Sequence, residues 1–328
     1  MMEFRHELAR TNASGPSANV WYGGSQKVNS APIILLVARP MSLKEIVGIG
    51  ARNVVGTSMR AYRASPLYPR LGRTLGKVLG IVTRNASKIV IRQIDGVTFE
   101  LDLREVIDAS LFYSGTFEAE AERTITAMLK PGMTAVDIGA NFGYHTFRMA
   151  RAVGSDGKVI AIEPTEWAFA KLQRNIARNG FKNIRLVKVA LGDRDQGPTE
   201  VRLQSSYRLD GTDLSTNEIV PMYTVDTAMT MNDVDRVDFV KMDVDGLEGK
   251  VIRGARETLT KHRPMLFFEV TPSAMRANGD DPVELVNTLT SLGYSLQTEA
   301  RKPISDVGIY IAKVAAGYAV NLFAVPPN

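Results

Sequence analysis

Five short, nearly uninterrupted apolar runs constrain this chain most: TAVDIG (134–139), KVIAIEP (158–164), IRLVKVAL (184–191), VDFVKMDV (237–244) and MLFFEV (265–270). Runs of this length suit parallel strands covered on both faces. Helical stretches lie between them. In TEWAFAKLQRNIARNG, Thr165 stands at an N-cap position, Phe169, Leu172 and Ile176 share one face, and Gly180 closes the end. The alternation predicts an open α/β sheet with right-handed crossovers.

Ahead of these runs, KIVIRQIDGVTFELDL reads as a β-hairpin about Asp95-Gly96, since a DG pair between alternating apolar residues is a strong hairpin signal. FYSGTFEAEAERTITAMLKPGM reads as one helix ending before Pro131. After the last run, DPVELVNTLTSLG (281–293) is helical, and YSLQTEA and YAVNLFAVPP are two late strands with no clear helix between them. They suggest an antiparallel pair at the end of the sheet.

The formal charge of +5 is unevenly distributed. Residues 1–85 carry 12 Lys/Arg against 3 Asp/Glu, whereas the remainder is net negative. The first part therefore reads as a basic arm, with disorder expected over the Ser-, Asn- and Gly-rich 11–30 and candidate short basic amphipathic helices over 41–82. Those helices either touch an anionic membrane surface or pack on the main domain. No aromatic stacking platform accompanies the charges, so no nucleic-acid partner is expected. MMEFRHELAR lacks the apolar core of a secretory signal, and APIILLVA (31–38) is far short of the ~20 residues of a membrane span, so the expectation is a soluble, cytoplasmic protein. With no cysteine and only three scattered histidines, His6, His145 and His262, thiol catalysis is excluded and a histidine-built zinc site is not expected; no metal ligand is assigned, a divalent ion held by Asp243, Asp245, Glu248 and Glu269 being the lesser alternative.

In AVDIGANFGYHTF (135–147) an apolar run enters a glycine-bearing turn and leaves into a helix. Open parallel sheets bind ligands beyond such strand tips. Gly139 and Gly143 permit a tight turn that brings backbone amides toward a ligand. A dinucleotide site normally has G-x-G-x-x-G, but Asn141 stands where the middle glycine would be, and Asp137 would repel a diphosphate. A carboxylate there suits a cationic group, and S-adenosylmethionine carries an ammonium and a sulfonium. Glu163, at the next strand end, suits the ribose hydroxyls.

VDIGANFGYHTF, KVIAIEPTEWAFAKLQRNIARNG, VALGDRDQG, VDFVKMDVDGLEGKVIRGARETL, RPMLFFEV and NLFAVPP, together with the upstream LFYSGTFEAE, resemble the FkbM-type S-adenosylmethionine-dependent methyltransferases over residues 88–328. The resemblance implies a class I methyltransferase (Rossmann-like) fold, a mostly parallel seven-stranded sheet with an antiparallel C-terminal strand pair. It also implies methyl transfer to a hydroxyl of a sugar, glycolipid or polyketide-like metabolite. By the same resemblance the cofactor set is Asp137, Gly139, Asn141, Gly143, Glu163 and Ala190. Similar proteins read D-V-E-G where this chain has Asp243-Val244-Asp245-Gly246, so one carboxylate has a shorter reach.

Asp243, Asp245, Glu248 and Glu269 fall at predicted strand ends facing that cleft. Asp243 is the first candidate for a base or an acceptor-orienting group, followed by Asp245 and Glu269; the alternative is that Asp243 only orders its loop. His145 is either a second base or a helix residue beside the cofactor. Trp167 either edges the adenine or is an ordinary aromatic, and Tyr113 and Phe117 either form a flap or pack in the core. The competing functional readings are a nicotinamide-dependent oxidoreductase and a non-catalytic binding protein on the same fold. The acceptor is a small molecule or a glycan- or lipid-linked one.

Overall fold

The computed structural model describes residues 89–203, 208, 215–314 and 318–327. The basic arm and the segment 41–82 therefore lie outside the described residues.

Strands β1 (Ile89–Ile94) and β2 (Val97–Asp102) pair antiparallel about Asp95 and Gly96, whose φ values are 48° and 77°. Positive φ at both central residues matches the right-handed twist of the flanking strands. The single helix expected next is two, α1 (Val106–Ser114) and α2 (Ala119–Met128). Gly115 separates them: at φ 77° its N–H returns to the Leu111 carbonyl and ends α1.

The central sheet has seven strands in the order β11-β12-β10-β9-β3-β4-β5. Its parallel strands are β3 (Thr134–Ile138), β4 (Lys158–Ile162), β5 (Ile184–Val187), β9 (Phe239–Met242) and β10 (Met265–Val270). β12 (Val320–Val325) inserts antiparallel between β10 and β11 (Ser295–Thr298). From β3 the chain proceeds outward through β4 and β5, then returns to β9 on the other side. The strand order thus reverses at the tip of β3, where open sheets form a ligand crevice.

Period-two alternation sorts the two faces. Val136, Ile138, Val240 and Met242 enter a core shared with helices α5 (Val225–Met231), α6 (Glu248–Arg253), α7 (Arg256–Lys261) and α9 (Pro282–Ser291). Ala135 and Phe239 face the opposite layer, built from α2, α3 (Tyr144–Val153) and Phe267 and Phe323. Asp137 and Lys241 lie on this second face and are register partners on β3 and β9.

Three local expectations are corrected. IRLVKVAL is not one strand: after β5, Lys188 turns out to pair with Glu166, and β6 (Ala190–Leu191) leaves the main sheet to pair with β8 (Thr216–Tyr223) beside β7 (Gly197–Leu203). Between the last strands there is a helix, α10 (Val307–Ala312), begun where the Asp306 carboxylate accepts the Ile309 amide at 2.8 Å. Helix α4 (Glu166–Asn179) buries Ala168, Lys171, Leu172 and Asn175, a more polar face than the expected one. The reason is the edge of β2, whose Glu100 and Thr98 amides donate to Asn175 Oδ1 at 2.8 Å and Asn179 Oδ1 at 2.7 Å. Thr165 holds the N-cap position of α4 but makes no side-chain cap bond. A short helix, α8 (Pro272–Ala277), follows β10.

Candidate methyl-donor site

The crevice forms where β3, β4, β9 and β10 end. The glycine turn after β3 is tied down from within. Gly139 and Ala140 N–H both reach the Ile162 carbonyl at 3.0 Å, Asn141 N–H reaches Glu163 Oε2 at 2.8 Å, and Gly143 N–H reaches Ala140 O at 2.9 Å. The expectation that these amides point at a ligand is therefore corrected: sheet and turn already use them. The glycines serve close approach instead. A Cβ on Gly139 (φ 76°) would stand 1.9 Å from the Asp243 carbonyl oxygen, and one on Gly143 (φ 99°) 2.6 Å from a Leu172 methyl. With four turn amides engaged, fewer donors are left to meet a diphosphate here.

Asp137 is fully buried. Its Oδ2 accepts the Thr146 hydroxyl at 2.6 Å, and Lys241 Nζ stands 3.5 Å from Oδ1. Lys241 also donates to Gly139 O at 3.1 Å and lies 3.9 Å from Asp243. Burial works to lower the Lys241 pKa, but Asp137 and Asp243 outweigh it, and the ammonium stays charged above its ordinary value. Lys241 was not legible as a site residue: it sits in the apolar text FVKM, and only strand order brings it beside Asp137.

Glu163 is 6% exposed at the tip of β4, its two oxygens holding the amides of Asn141 and Thr165 at 2.8 and 2.9 Å. Burial raises its pKa against these bonds, which favour the charged form. Around the β9 and β10 tips stand Asp243, Asp245, Glu248 and Glu269. The Asp243 side chain lies on the cleft floor, walled by protein yet still 42% exposed. Desolvation pushes its carboxyl up, Lys241 opposes this, and Glu118 adds to it. Asp245, which has φ 52° and is exposed beyond the end of β9, is still pushed up to about 7, by desolvation and then by the Asp243 charge. Desolvation pushes buried Glu248 up to about 7, although its Oε1 accepts the Val244 and Gly246 amides at 3.2 Å. Glu269 rises to about 9 through desolvation, then through Asp243, Glu118, Glu248 and Asp245. Crowding holds these carboxyls toward their protonated forms, and a cation placed among them would favour their ionised forms.

The structure brings Asp137, Gly139, Asn141, Gly143, Glu163, Asp243, Asp245 and Glu269 to one end of the sheet. Ala190 instead opens β6 and packs against Leu203 and Val220. His145, 8% exposed, places Nε2 3.3 Å from Glu118 Oε2, so Glu118 joins the cleft from the turn before α2. Trp167 is exposed, with Lys171 Nζ 4.8 Å from its ring centre. Phe117 packs edge-on to Tyr144 and Tyr113 edge-on to Phe112. Among the described residues no group of three or more Asp, Glu or His has an arrangement that would hold a metal ion, and no helix is long and apolar enough to cross a membrane.

A sheet of this order, with its seventh strand inserted antiparallel and an acid, glycine and acid at the first two strand tips, defines a class I S-adenosylmethionine-dependent methyltransferase fold. Residues 137–296 match the family model of the methyltransferase FkbM domain, and this part of the chain is a domain of that family. The cofactor of such domains is S-adenosylmethionine. The chain is 27% identical over 209 residues to arsenite methyltransferase of Halobacterium salinarum, covering 55% of this chain and 49% of that protein. It thus spans about half of that relative's length. It is 28% identical over 168 residues to the 2-O-methyltransferase NoeI of Sinorhizobium fredii, covering 45% of this chain and 68% of the relative. Among solved structures it is similar to M. jannaschii TYW2 in complex with AdoMet, with a TM-score of 0.38 and 19% identity, over 73% of this chain and 86% of that one.

Proposed function

We propose that the protein is an S-adenosylmethionine-dependent methyltransferase that methylates a hydroxyl oxygen on a sugar, glycolipid or polyketide-like acceptor. One observation carries the reading: carboxylates crowd the strand tips around a glycine turn whose own amides are engaged, a setting that suits a positively charged donor without phosphates. The donor supplies a methyl group on a cationic sulfur that leaves as a neutral thioether. Glu163 is the residue for its ribose hydroxyls, and the 139–143 turn supplies the wall against which it rests.

The protein has two further tasks. It holds the acceptor oxygen in line with the methyl carbon, an alignment worth up to ~7–11 kcal/mol when well matched. It also takes up the hydroxyl proton as the new O–C bond forms and the C–S pair withdraws to sulfur. Asp243 is the first candidate for that proton, with Asp245 beside it, since a carboxylate whose pKa lies nearer neutrality is a better base than an ordinary one, whereas Glu269, raised to about 9, already carries a proton at neutral pH and serves as a hydrogen-bond donor. A positioned base of this kind contributes typically ~10²–10⁴-fold. The name of the Sinorhizobium relative supports a hydroxyl acceptor. The same crowding of carboxylates disfavours an acceptor bearing phosphate or carboxylate next to the reacting hydroxyl.

Incubation with methyl-labelled donor and fractionated glycan, lipid and small-metabolite extracts tests this reading. The expected result is label in a base-stable ether, abolished in Asp243→Ala. Label recovered only on nitrogen or sulfur would overturn the hydroxyl assignment, and no transfer to any fraction would count against the activity.

A further inference from the structure

Asp137 is the acid that sequence reasoning assigns to the donor's cationic end, yet no part of it reaches the surface and Lys241 already stands opposite. For a donor whose ribose met Glu163 on β4, the tips of β3 and then β9 are the next ones along the sheet and would lie within reach of its amino-acid end. The accessible acids there are Asp243, Asp245 and Glu118, whose side chain keeps 16% of its exposure and which faces His145 on the helix that leaves the glycine turn. Glu118 is within electrostatic reach of Lys241, Asp243 and Glu269 at the tips of β9 and β10.

Its position is built. The neighbouring Phe117 amide donates to Tyr144 Oη at 3.1 Å, Thr116 Oγ1 lies 2.9 Å from the same oxygen, and Tyr144 in turn donates to Glu122. Arg148 closes the group, with Nε 2.6 Å from Glu122 and its guanidinium carbon 4.0 Å from the centre of the Tyr144 ring. The turn carrying Glu118 is thereby pinned to the first residue of α3, one residue before His145, whose Nε2 orients the Glu118 carboxylate. Two successive residues after the glycine turn thus fix one acid from outside the 137–296 family segment.

We infer that Glu118, oriented by His145, is the residue that receives the α-ammonium of the methyl donor, and that Asp137 instead serves as the buried counter-ion of Lys241. This inference rests on the donor assignment proposed above. Glu118 would then be a binding residue supplied by the segment ahead of the first parallel strand. His145 would be its positioning residue rather than a base.

Calorimetric titration of the full chain with S-adenosylhomocysteine and with 5′-methylthioadenosine, which lacks the amino-acid end, tests it. In Glu118→Gln, S-adenosylhomocysteine should bind at least about tenfold more weakly, as loss of a charge-assisted contact implies, while 5′-methylthioadenosine binds as to wild type. Glu118→Asp, which keeps the charge on a shorter arm, should fall between, and His145→Asn should follow Glu118→Gln in the same direction with a smaller loss. Equal affinity of wild type and Glu118→Gln for S-adenosylhomocysteine would overturn the inference. So would a parallel loss of both ligands, which would mark Glu118 as merely structural. A wild type that binds neither ligand would bring down the donor assignment and this inference with it.

Discussion

Replacing Lys241 by Met probes the pair at the centre of the site. Lys241 Nζ and Asp137 Oδ1 are 3.5 Å apart, with side chains 6% and 0% exposed. At that separation and an effective dielectric of about 20, the Coulomb attraction is roughly 5 kcal/mol. Desolvation of both ions offsets much of it, so the pair adds little over matched apolar residues. Removing only the lysine is different, because Asp137 is left buried with the Thr146 hydroxyl and no cation. Such half-broken pairs cost about 3–5 kcal/mol, and the Gly139 carbonyl loses its donor as well. Urea unfolding of Lys241→Met should therefore show a stability lower by about 3–5 kcal/mol at an unchanged m value. The double variant Asp137→Asn, Lys241→Met leaves no lone charge and keeps an acceptor for Thr146, so it should recover most of the loss. A single variant within about 1 kcal/mol of wild type, or a double variant no better than the single, would refute this account of the pair.

Four further outcomes follow from the same geometry. Glu163→Gln should weaken S-adenosylhomocysteine binding by about tenfold or more in a calorimetric titration, since a charged acceptor is lost at the ribose position. Gly139→Ala should lower stability by more than about 2 kcal/mol and abolish donor binding, because alanine is strained at φ 76° and its Cβ would meet the Asp243 carbonyl; an unchanged melting temperature would contradict the close approach. Glu269 holds its proton up to about 9 in the folded protein, whereas the unfolded carboxyl loses it near 4.5, so folding stability drains away as pH rises through that window. Glu269→Gln should accordingly melt higher than wild type at pH 8 and close to it at pH 4.5; a pH-independent difference would be the contrary result. Residues 41–82 are proposed to touch anionic lipid, and deletion of residues 1–85 should reduce flotation with phosphatidylserine vesicles; equal recovery would dispose of the idea.

Features were legible in the sequence where function and local chemistry coincide. The Asp95-Gly96 hairpin was plain because a turn's backbone demands are local. The first two strand tips were plain because Asp137, Gly139 and Glu163 lie at fixed places relative to their own strands. What was hidden depends on neighbours distant in the chain. Lys241 reads as an anomaly in an apolar strand until β9 is laid beside β3. Asn175 and Asn179 lie off the apolar Phe169, Leu172 and Ile176 face, and their role depends on the edge of β2, which presents amides to them. The β7–β8 pairing is hidden in the sequence because polar residues alternate with its few apolar ones, as half-exposed strands allow. Glu118 stood outside every strand tip, and only the Tyr144 hydroxyl network shows why its turn sits over the cleft.

The most direct trial of the donor assignment is a side-by-side calorimetric titration of the full chain with S-adenosylhomocysteine and with NADH. The account predicts saturable binding of one S-adenosylhomocysteine per chain and none of NADH, because the Gly139, Ala140, Asn141 and Gly143 amides are engaged and acids stand around the turn. Saturable binding of NADH, with S-adenosylhomocysteine leaving the protein unmoved, would contradict it.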